Sequence, residues 1–399
     1  MQNLNFFDKL KDETNKTVLT LLGFNTLVYV AMSVYTPYIS VHYSNLGMNS
    51  FQIGILAALG PLSAVLVQPL WGMLSDRTGS GAKILRMLTV GSMAAVLLYL
   101  FSRSFISLAV VTFLFVSFNT ALIPLGDAIA VSYLASRNYS FSRVRIGGTV
   151  GYAISVAVAG HFIRKNEYLS FILCAAFLLL LFICIGGMPQ NHTTQRIKGR
   201  LEISKLVKNR RILFVLFFAC VFQMVLSCNM AFLGVYIKEL NYSSQEIGIA
   251  MMVSASSEIP VLLVIDKILK RYSVHAIMLF SGIMMAVRVF VLYLARDMTL
   301  IIAAQLLHGV TYMTVYYSCV TFINKNVDDS LKATGQSMLH LVQTGIGSVV
   351  GNILGGYVAN RIGIGNTYMV CSLFILTVTI ICGSALVIFR RNAGQGSDF

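Results

Sequence analysis

Residues 211–238 read RILFVLFFACVFQMVLSCNMAFLGVYIK, with one charge at each end and none between them. A helix needs about 20 apolar residues to cross a hydrocarbon core about 30 Å thick, and this stretch is long enough. Similar stretches recur along the 399-residue chain, which is 57% hydrophobic and 11% charged. Soluble domains carry about 25% charged residues, so this composition excludes a soluble fold. The short alternating segments of a transmembrane β-barrel are absent from the sequence.

The hydropathy pattern predicts an all-α membrane protein with twelve transmembrane helices. An even number of crossings places both termini on the same side of the membrane. The predicted helices cover residues 17–41, 51–74, 83–101, 105–136, 142–164, 168–188, 211–238, 245–268, 274–295, 299–324, 332–360 and 366–389.

The 30 lysine and arginine residues are distributed unevenly between the two sides of these helices. Arg288 falls within a helix. Six others lie on the side of the membrane with fewer basic residues: Arg103, Arg164, Lys165, Lys238, Arg296 and Arg361. The rest lie on the side that holds both termini, which the positive-inside rule identifies as cytoplasmic. The net charge of +15 therefore reports topology and predicts contact with lipid headgroups. It requires no nucleic acid, and we expect a monomer in a bacterial inner membrane.

The longest polar stretch divides the chain into two halves. We predict an N-terminal six-helix bundle over residues 1–188, a cytoplasmic linker over 189–210 and a C-terminal six-helix bundle over 211–399. The halves echo each other, because Gln68-Pro69-Leu70 near Asp76 resembles Ile259-Pro260-Val261 near Asp266 at an offset near 190 residues. Such pseudo-symmetry is typical of transporters whose substrate site lies at the repeat interface.

Several ionisable residues lie inside the predicted helices. Each charge at the centre of a membrane helix costs about 2.5–3.5 kcal/mol on insertion scales, so these groups are expected to pair or to line a wet cavity. They are Asp127, Glu258, Arg288 and His308, with Arg145 and His340 close by. Polar stripes at helical spacing accompany them. The stripes are Asn119-Ile123-Asp127, His308-Thr311-Tyr312-Tyr316 and Gln336-His340-Thr344.

The loop after the second helix reads Gly72-Met73-Leu74-Ser75-Asp76-Arg77-Thr78-Gly79. This run resembles the G-x-L-a-D-R-x-G signature of the major facilitator superfamily. The resemblance implies twelve helices in two bundles, and it implies that Gly72, Asp76 and Arg77 form a conformational latch.

The stretch from Asp127 to Tyr152 resembles the lactose permease branch of that superfamily. Asp127 and Arg145, eighteen residues apart, stand where that branch has its sugar-binding carboxylate and arginine. Thr149 belongs to the same motif, and Tyr152 stands at the place of a stacking tryptophan. The arginine and carboxylate suit hydroxyl-rich or heteroatom-rich solutes. Further predicted substrate contacts are Asn25, Tyr29, Asn119, Gln223, Asn229 and Tyr312.

In the second half, Arg288 and His308 keep the spacing that the permease branch has on its ninth and tenth helices. That branch carries a proton on a glutamate one turn after the histidine, where this chain has Thr311, which cannot titrate. Glu258, in a Ser-Glu-Ile-Pro run similar to that of nucleoside and phenylpropionate symporters, is the alternative carrier, and Asp127 is a second carboxylate that could titrate. We therefore predict a proton-coupling set of Glu258, Arg288 and His308.

These residues leave three functional classes open. The first is proton-coupled uptake of a small polar solute by alternating access, through a cavity lined by the first, fourth, fifth, seventh, eighth and tenth helices. The second is export of drugs or metabolites, although the exporters' Gly-Pro-x-x-Gly-Gly kink has no counterpart in proline-free residues 142–164. The third is a non-transport membrane sensor. Hydrolase, metalloprotease and nucleotide-binding motifs are absent. We therefore predict that the chain is not an enzyme and needs no cofactor. The seven cysteines lie in apolar stretches, so we also predict no metal site.

Overall fold

The computed structural model describes residues 2–137, 139–189, 209–328 and 331–392, without the side chains of 2–14, 333 and 389–392. All regular structure in these residues is helical. The α-helices are α1 (Gln2–Tyr35), α2 (Ile39–Asn45), α3 (Ser50–Leu66), α4 (Gln68–Thr78), α5 (Gly81–Leu97), α6 (Phe105–Asn119), α7 (Leu122–Ala135), α8 (Phe141–Ile163), α9 (Leu169–Ile185), α10 (Arg210–Glu239), α11 (Ser244–Ser256), α12 (Glu258–Arg271), α13 (Val274–Leu294), α14 (Met298–Leu306), α15 (His308–Asn326), α16 (Lys332–His340), α17 (Ser348–Ile362) and α18 (Ile364–Asn392).

Eleven helical stretches in the described residues are long and apolar enough to cross a membrane. A shorter apolar helix, α9, coincides with the sixth predicted helix. The all-helical membrane fold is thus confirmed, and the count of twelve crossings stays a prediction. The first helix begins at Gln2, earlier than predicted, and α1 ends at Tyr35, two residues before Pro37.

Four of the stretches predicted as continuous helices are interrupted near their middles, at Val67, Thr120–Ala121, Ser257 and Leu307. The backbone stays close to right-handed helical geometry at each break. Pro69, Pro124 and Pro260 follow three of the breaks, and a proline has no N–H to continue the hydrogen-bond ladder. The break after α14 has no proline nearby.

The break in the fourth predicted helix falls within the predicted stripe of Asn119, Ile123 and Asp127. That stripe required one continuous helix over residues 105–136. Instead, α6 ends at Asn119 and α7 begins at Leu122, because Pro124 cannot donate to the preceding turn. Thr120 and Ala121 keep right-handed helical angles, so the shared face of Asn119, Ile123 and Asp127 stays a prediction.

The breaks also extend the echo between the halves from sequence to backbone. The break at Val67 precedes Pro69, and the break at Ser257 precedes Pro260, close to the offset of 190 residues seen in the sequence. The breaks at Thr120–Ala121 and Leu307 occupy the fourth and tenth predicted helices, which are equivalent positions in the two halves.

The described chain packs into two compact units. The first contains the residues before Tyr43 and those from Leu62 to 189, and the second contains Tyr43–Pro61 and the residues from 209 onwards. Tyr43–Pro61 packs on α17, where the Asn352 side-chain amide donates to the Ala57 carbonyl over 3.1 Å. Most of the predicted linker lies outside the described residues, so the predicted domain boundaries stay predictions.

Between α16 and α17, residues Leu341–Gly347 form a π-helical turn. The glycine face that follows, Gly347, Gly351 and Gly355, packs on the backbone and short side chains of α10. A Cβ at Gly351 would overlap the Met224 carbonyl, so this approach requires glycine. The close packing holds the wide turn beside α10.

Candidate functional site

In the first unit, the sequence-predicted pair of Asp127 and Arg145 forms an ion pair between α7 and α8. Arg145 Nη1 donates to Asp127 Oδ2 over 2.9 Å. The Arg145 side chain is 41% exposed and the Asp127 side chain 24% exposed, so the pair is open to a solute. A guanidinium and a carboxylate offer several hydrogen-bond donors and acceptors to hydroxyl groups.

Two residues of α1 complete this cluster. The Asn25 side-chain amide donates to Asp127 Oδ1 over 3.2 Å, and the Arg145 guanidinium lies 4.7 Å from the centre of the Tyr29 ring. Gly148 of α8 allows Tyr29 this position, because a Cβ there would come within 2.5 Å of the ring. The structure thus brings four predicted substrate contacts together. We call them the first-unit cluster: Asn25, Tyr29, Asp127 and Arg145.

Three further predicted contacts in this unit lie near the cluster along the chain. Thr149 and Tyr152 are half-buried on α8, one and two turns beyond Arg145 and on the same helix face. Asn119 is half-buried at the end of α6, across the break from Asp127. The substrate contacts of these three side chains stay predictions.

In the second unit, two interrupted helices meet at their breaks. Gly309 of α15 lies so close to Ser257 that a Cβ at 309 would overlap the Ser257 carbonyl. The Gly309 N–H, which the break frees from its own helix, donates to Ser257 Oγ over 2.9 Å. We call this contact the break crossing. The first residues after the two breaks are Glu258 and His308, and the crossing sets them side by side.

Glu258 and His308 form the central contact of the second unit. Glu258 Oε1 lies 3.3 Å from His308 Nε2, and both side chains are largely buried, at 20% and 9% exposed. The strength of this contact depends on protonation, because an ion pair forms only when the carboxylate is ionised and the imidazole is protonated. The Tyr312 ring stacks on His308, with centroids 5.4 Å apart and planes 17° apart.

Arg288 does not join this pair as an ion partner. It is fully buried and donates to Gln305 Oε1 over 3.0 Å and to Thr311 Oγ1 over 3.4 Å. Within the described ranges Arg288 makes no ion pair. Glu258 lies against His308, because the break crossing holds Glu258 beside the first turn of α15.

The two remaining predicted contacts of the second unit differ in position. Gln223 of α10 lines a cavity and donates from Nε2 to Ser348 Oγ over 3.0 Å. Asn229, also on α10, is buried, and neither atom of its amide has a hydrogen-bond partner among the described residues. Asn229 does not line that cavity, so its substrate contact stays a prediction.

The cavity beside Gln223 includes residues that sequence reasoning only partly identified. It has a volume of about 350 Å³ and is lined by residues of α10, α15, α16 and the π turn. The sequence indicated a stripe of Gln336, His340 and Thr344, and all three line the cavity. Gln343 also lines the cavity, and sequence reasoning missed it. Its spacing of seven residues from Gln336 would place both on the same face of a helix.

The predicted latch residues lie at the end of α4. The N–H of Gly79, which has φ +60°, donates to the Ser75 carbonyl and closes the helix. Asp76 and Arg77 are exposed, and neither makes an ion pair within the part of the chain that the structure describes. Gly72 has open space where a Cβ would lie. The latch stays a prediction.

The same described residues contain no group of three His, Cys, Asp or Glu side chains able to hold a metal.

Comparison with known families and proteins gives this geometry a context. Residues 18–370 match the model of the MFS_1 like family. An uncharacterized transporter of Bacillus subtilis (strain 168), YwbF, is 22% identical over 376 residues, which cover 94% of this chain and 93% of that protein. The maltose permease of Geobacillus stearothermophilus is 22% identical over 395 residues, which cover 96% of this chain and 97% of the permease.

Among solved structures, the crystal structure of the nucleoside transporter NupG is similar to this chain with a TM-score of 0.84. The two are 17% identical, and the match covers 92% of this chain and 98% of NupG. At this identity the likeness establishes a common fold.

Proposed function

Because this chain belongs to the MFS_1 like family of membrane transporters, we propose that it takes up a small polar organic solute together with protons. The chain is a transporter and not an enzyme, and the proteins it resembles are also transporters. The proposed solute is a sugar, a glycoside or a nucleoside. Transport proceeds by alternating access, in which the binding groups are exposed to each side of the membrane in turn.

The observation that carries this proposal is the first-unit cluster. A charged pair within membrane-spanning helices is costly to insert and is retained where it has a function. Arg145 and Asp127 satisfy each other only in part, because both side chains remain accessible. Their free donors and acceptors suit solute hydroxyl groups, and the Tyr29 ring beside Arg145 offers an apolar face to a sugar or base ring.

Proton coupling rests on the contact between Glu258 and His308. A proton added to Glu258 changes the charge of this contact and so the strength of the attraction between the two side chains. The contact joins two separate helices at their breaks. Proton occupancy therefore changes the relative free energy of any two conformations that differ at this crossing. Arg288 stabilises this region through Gln305 and Thr311 rather than by carrying the proton.

The relatives support the solute class and the location. One is named for maltose and one for nucleosides, which are both neutral and rich in hydroxyl groups. The bacterial relatives and the lysine and arginine distribution favour the inner membrane with both termini in the cytoplasm. The proposed transporter acts as a monomer.

The test uses the purified protein in proteoliposomes, with maltose, glucose and uridine as radiolabelled solutes. An inward proton gradient is expected to drive accumulation of at least one of them. Glu258→Gln is expected to abolish gradient-driven accumulation while exchange of the solute across the membrane continues. Glu239→Gln, at an exposed carboxylate at the end of α10, is the matched control.

Three outcomes would contradict the proposal. Expulsion of solute driven by the opposite gradient would assign the chain to export. The absence of any solute flux would favour a sensor. Undiminished coupling in Glu258→Gln would show that the proton is carried elsewhere.

A further inference from the structure

The cavity in the second unit is bounded by α10, α15, α16 and the π turn Leu341–Gly347. At about 350 Å³ it falls within the usual range of small-molecule sites, roughly 300–1,000 Å³. Carboxamide, hydroxyl, imidazole and aromatic groups supply most of its wall. Aspartate, glutamate, lysine and arginine are all absent from its lining.

We propose that this cavity binds the uncharged ring of the transported solute and rejects anionic forms of the same ring. Gln336 and Gln343 then determine specificity through their carboxamides. This inference rests on the proposed transport function and adds the residues that select an uncharged solute over its anionic form.

Gln343 provides the first argument. It is only 5% exposed, lies in the π turn and lines the cavity. Its carboxamide makes no hydrogen bond to any residue that the structure describes. The carboxamide lines the cavity with its donors and acceptor free of partners among the described residues, so it is suited to a ligand that offers both donors and acceptors.

Gln336 provides the second argument. Its Nε2 donates to the Val320 carbonyl and to Asn324 Oδ1, both over 3.0 Å. A backbone carbonyl can only accept, so the amide nitrogen must face α15, and this orients the opposite oxygen as a fixed acceptor. An acceptor with a fixed orientation attracts solute hydroxyl or amino groups and repels carboxylates and phosphates.

Two tyrosines provide the third argument. The rings of Tyr312 and Tyr316 line the cavity with centroids 6.1 Å apart and planes 33° apart. Aromatic faces pack well on the apolar faces of sugar and base rings. Tyr312 also stacks on His308, so a ring bound here lies one side chain away from the Glu258 contact.

The experiment measures binding to the full-length protein in detergent by calorimetry. The probes are two matched pairs, uridine with uridine 5′-monophosphate and glucose with glucuronate. We expect the neutral member of at least one pair to bind and its anionic partner to bind at least tenfold more weakly. Gln343→Leu is expected to weaken the neutral solute about five- to tenfold, which is the usual effect of losing a neutral hydrogen bond.

Two further variants keep the test interpretable. Gln343→Glu preserves shape and adds a charge, so it is expected to weaken the neutral solute without restoring the anion. Gln245→Leu makes the same amide-to-alkyl change near the start of α11, outside the cavity, and should leave affinity unchanged. Thermal unfolding of each variant checks that the fold is retained.

The outcomes separate this inference from the proposed function. Equal binding of neutral and anionic partners, or unchanged affinity in Gln343→Leu, overturns the inference while transport itself stands. Absence of flux in proteoliposomes with normal, cavity-dependent binding overturns the proposed function while the binding site stands.

Discussion

Arg145 and Asp127 illustrate how much a single residue contributes in this protein. Their separation is 2.9 Å, yet Arg145 is 41% exposed, so solvent screens much of their attraction. We therefore expect the pair to contribute little to stability and much to solute binding.

Substitution of either residue tests this expectation. Asp127→Asn and Arg145→Gln should each weaken solute binding at least about tenfold, or about 1.4 kcal/mol, while changing the free energy of unfolding by less than about 1 kcal/mol. If the two side chains act as a unit, the double variant loses about as much affinity as either single variant. Binding and thermal unfolding, each measured on the same preparation, provide the two readouts.

Arg143 supplies the control for this series. It is an exposed arginine two residues before Arg145 on the same helix. Arg143→Gln should bind solute normally. An equal loss of affinity in Arg143→Gln, or normal binding by Arg145→Gln, would contradict the assignment of Arg145 as a solute contact.

Arg288 differs from Arg145 because it is fully buried and held by two neutral partners. A lysine keeps the charge but cannot reach Gln305 and Thr311 with the same planar fork. Arg288→Lys should therefore cost about 1–3 kcal/mol of stability through the bonds left unmade. The measurement is the thermal midpoint in detergent, compared with Arg296→Lys, an exposed arginine that donates to the Tyr293 and Ala295 backbone carbonyls. Equal midpoints for the two variants would exclude this structural role.

At the scale of elements, the helix breaks separate what local sequence can predict from what it cannot. Pro69, Pro124 and Pro260 each remove a backbone donor, so three breaks are predictable from single residues. The break at Leu307 has no proline nearby. The freed Gly309 N–H donates there to Ser257, which lies 52 residues away in sequence, and a contact of this range cannot be predicted from local sequence. Pairing of Glu258 with His308 depends on that long-range contact and could not be read from helical spacing.

The candidate site shows the same division between local and long-range information. Resemblance to a known motif located Asp127 and Arg145, and their mutual contact agrees with the ion pair that costly intramembrane charges require. The partners of Arg288 are a glutamine and a threonine, whose polarity carries no specific sequence signal. Gln343 was missed because the π turn that presents it to the cavity depends on packing between α10 and α17.

Gly309 is the residue on which the break crossing depends. In Gly309→Ala the new methyl group would overlap the Ser257 carbonyl and force α12 and α15 apart. We expect loss of most transport and a decrease of about 1–3 kcal/mol in stability, as for overpacked cores. Transport rate and thermal midpoint are measured against Gly383→Ala on α18, where the nearest side-chain atom is 3.6 Å from the new Cβ. Normal transport by Gly309→Ala would remove the crossing from the mechanism.

At the scale of the whole molecule, orientation in the membrane is set by the uneven distribution of lysine and arginine. Single cysteines at Asn166 and Thr78, both exposed, report the two sides. In intact cells a membrane-impermeant maleimide is expected to label Asn166→Cys and not Thr78→Cys, and permeabilised cells should label both. The parent chain, whose seven cysteines lie in helices, serves as the blank. The reverse labelling pattern would invert the predicted topology.

The break crossing between Ser257 and Gly309 has a consequence for the energetics of coupling. A rearrangement that changes the angle between α12 and α15 must work against the hydrogen bond at the crossing and the contact of Glu258 with His308. Coupling between two events is reciprocal. If protonation of Glu258 changes the free energy of the rearrangement between α12 and α15, the rearrangement changes the free energy of proton binding by the same amount. In the proposed mechanism the crossing converts the free energy of proton binding into a change of helix angle, and the stiffness of α12 and α15 sets how much work one proton delivers.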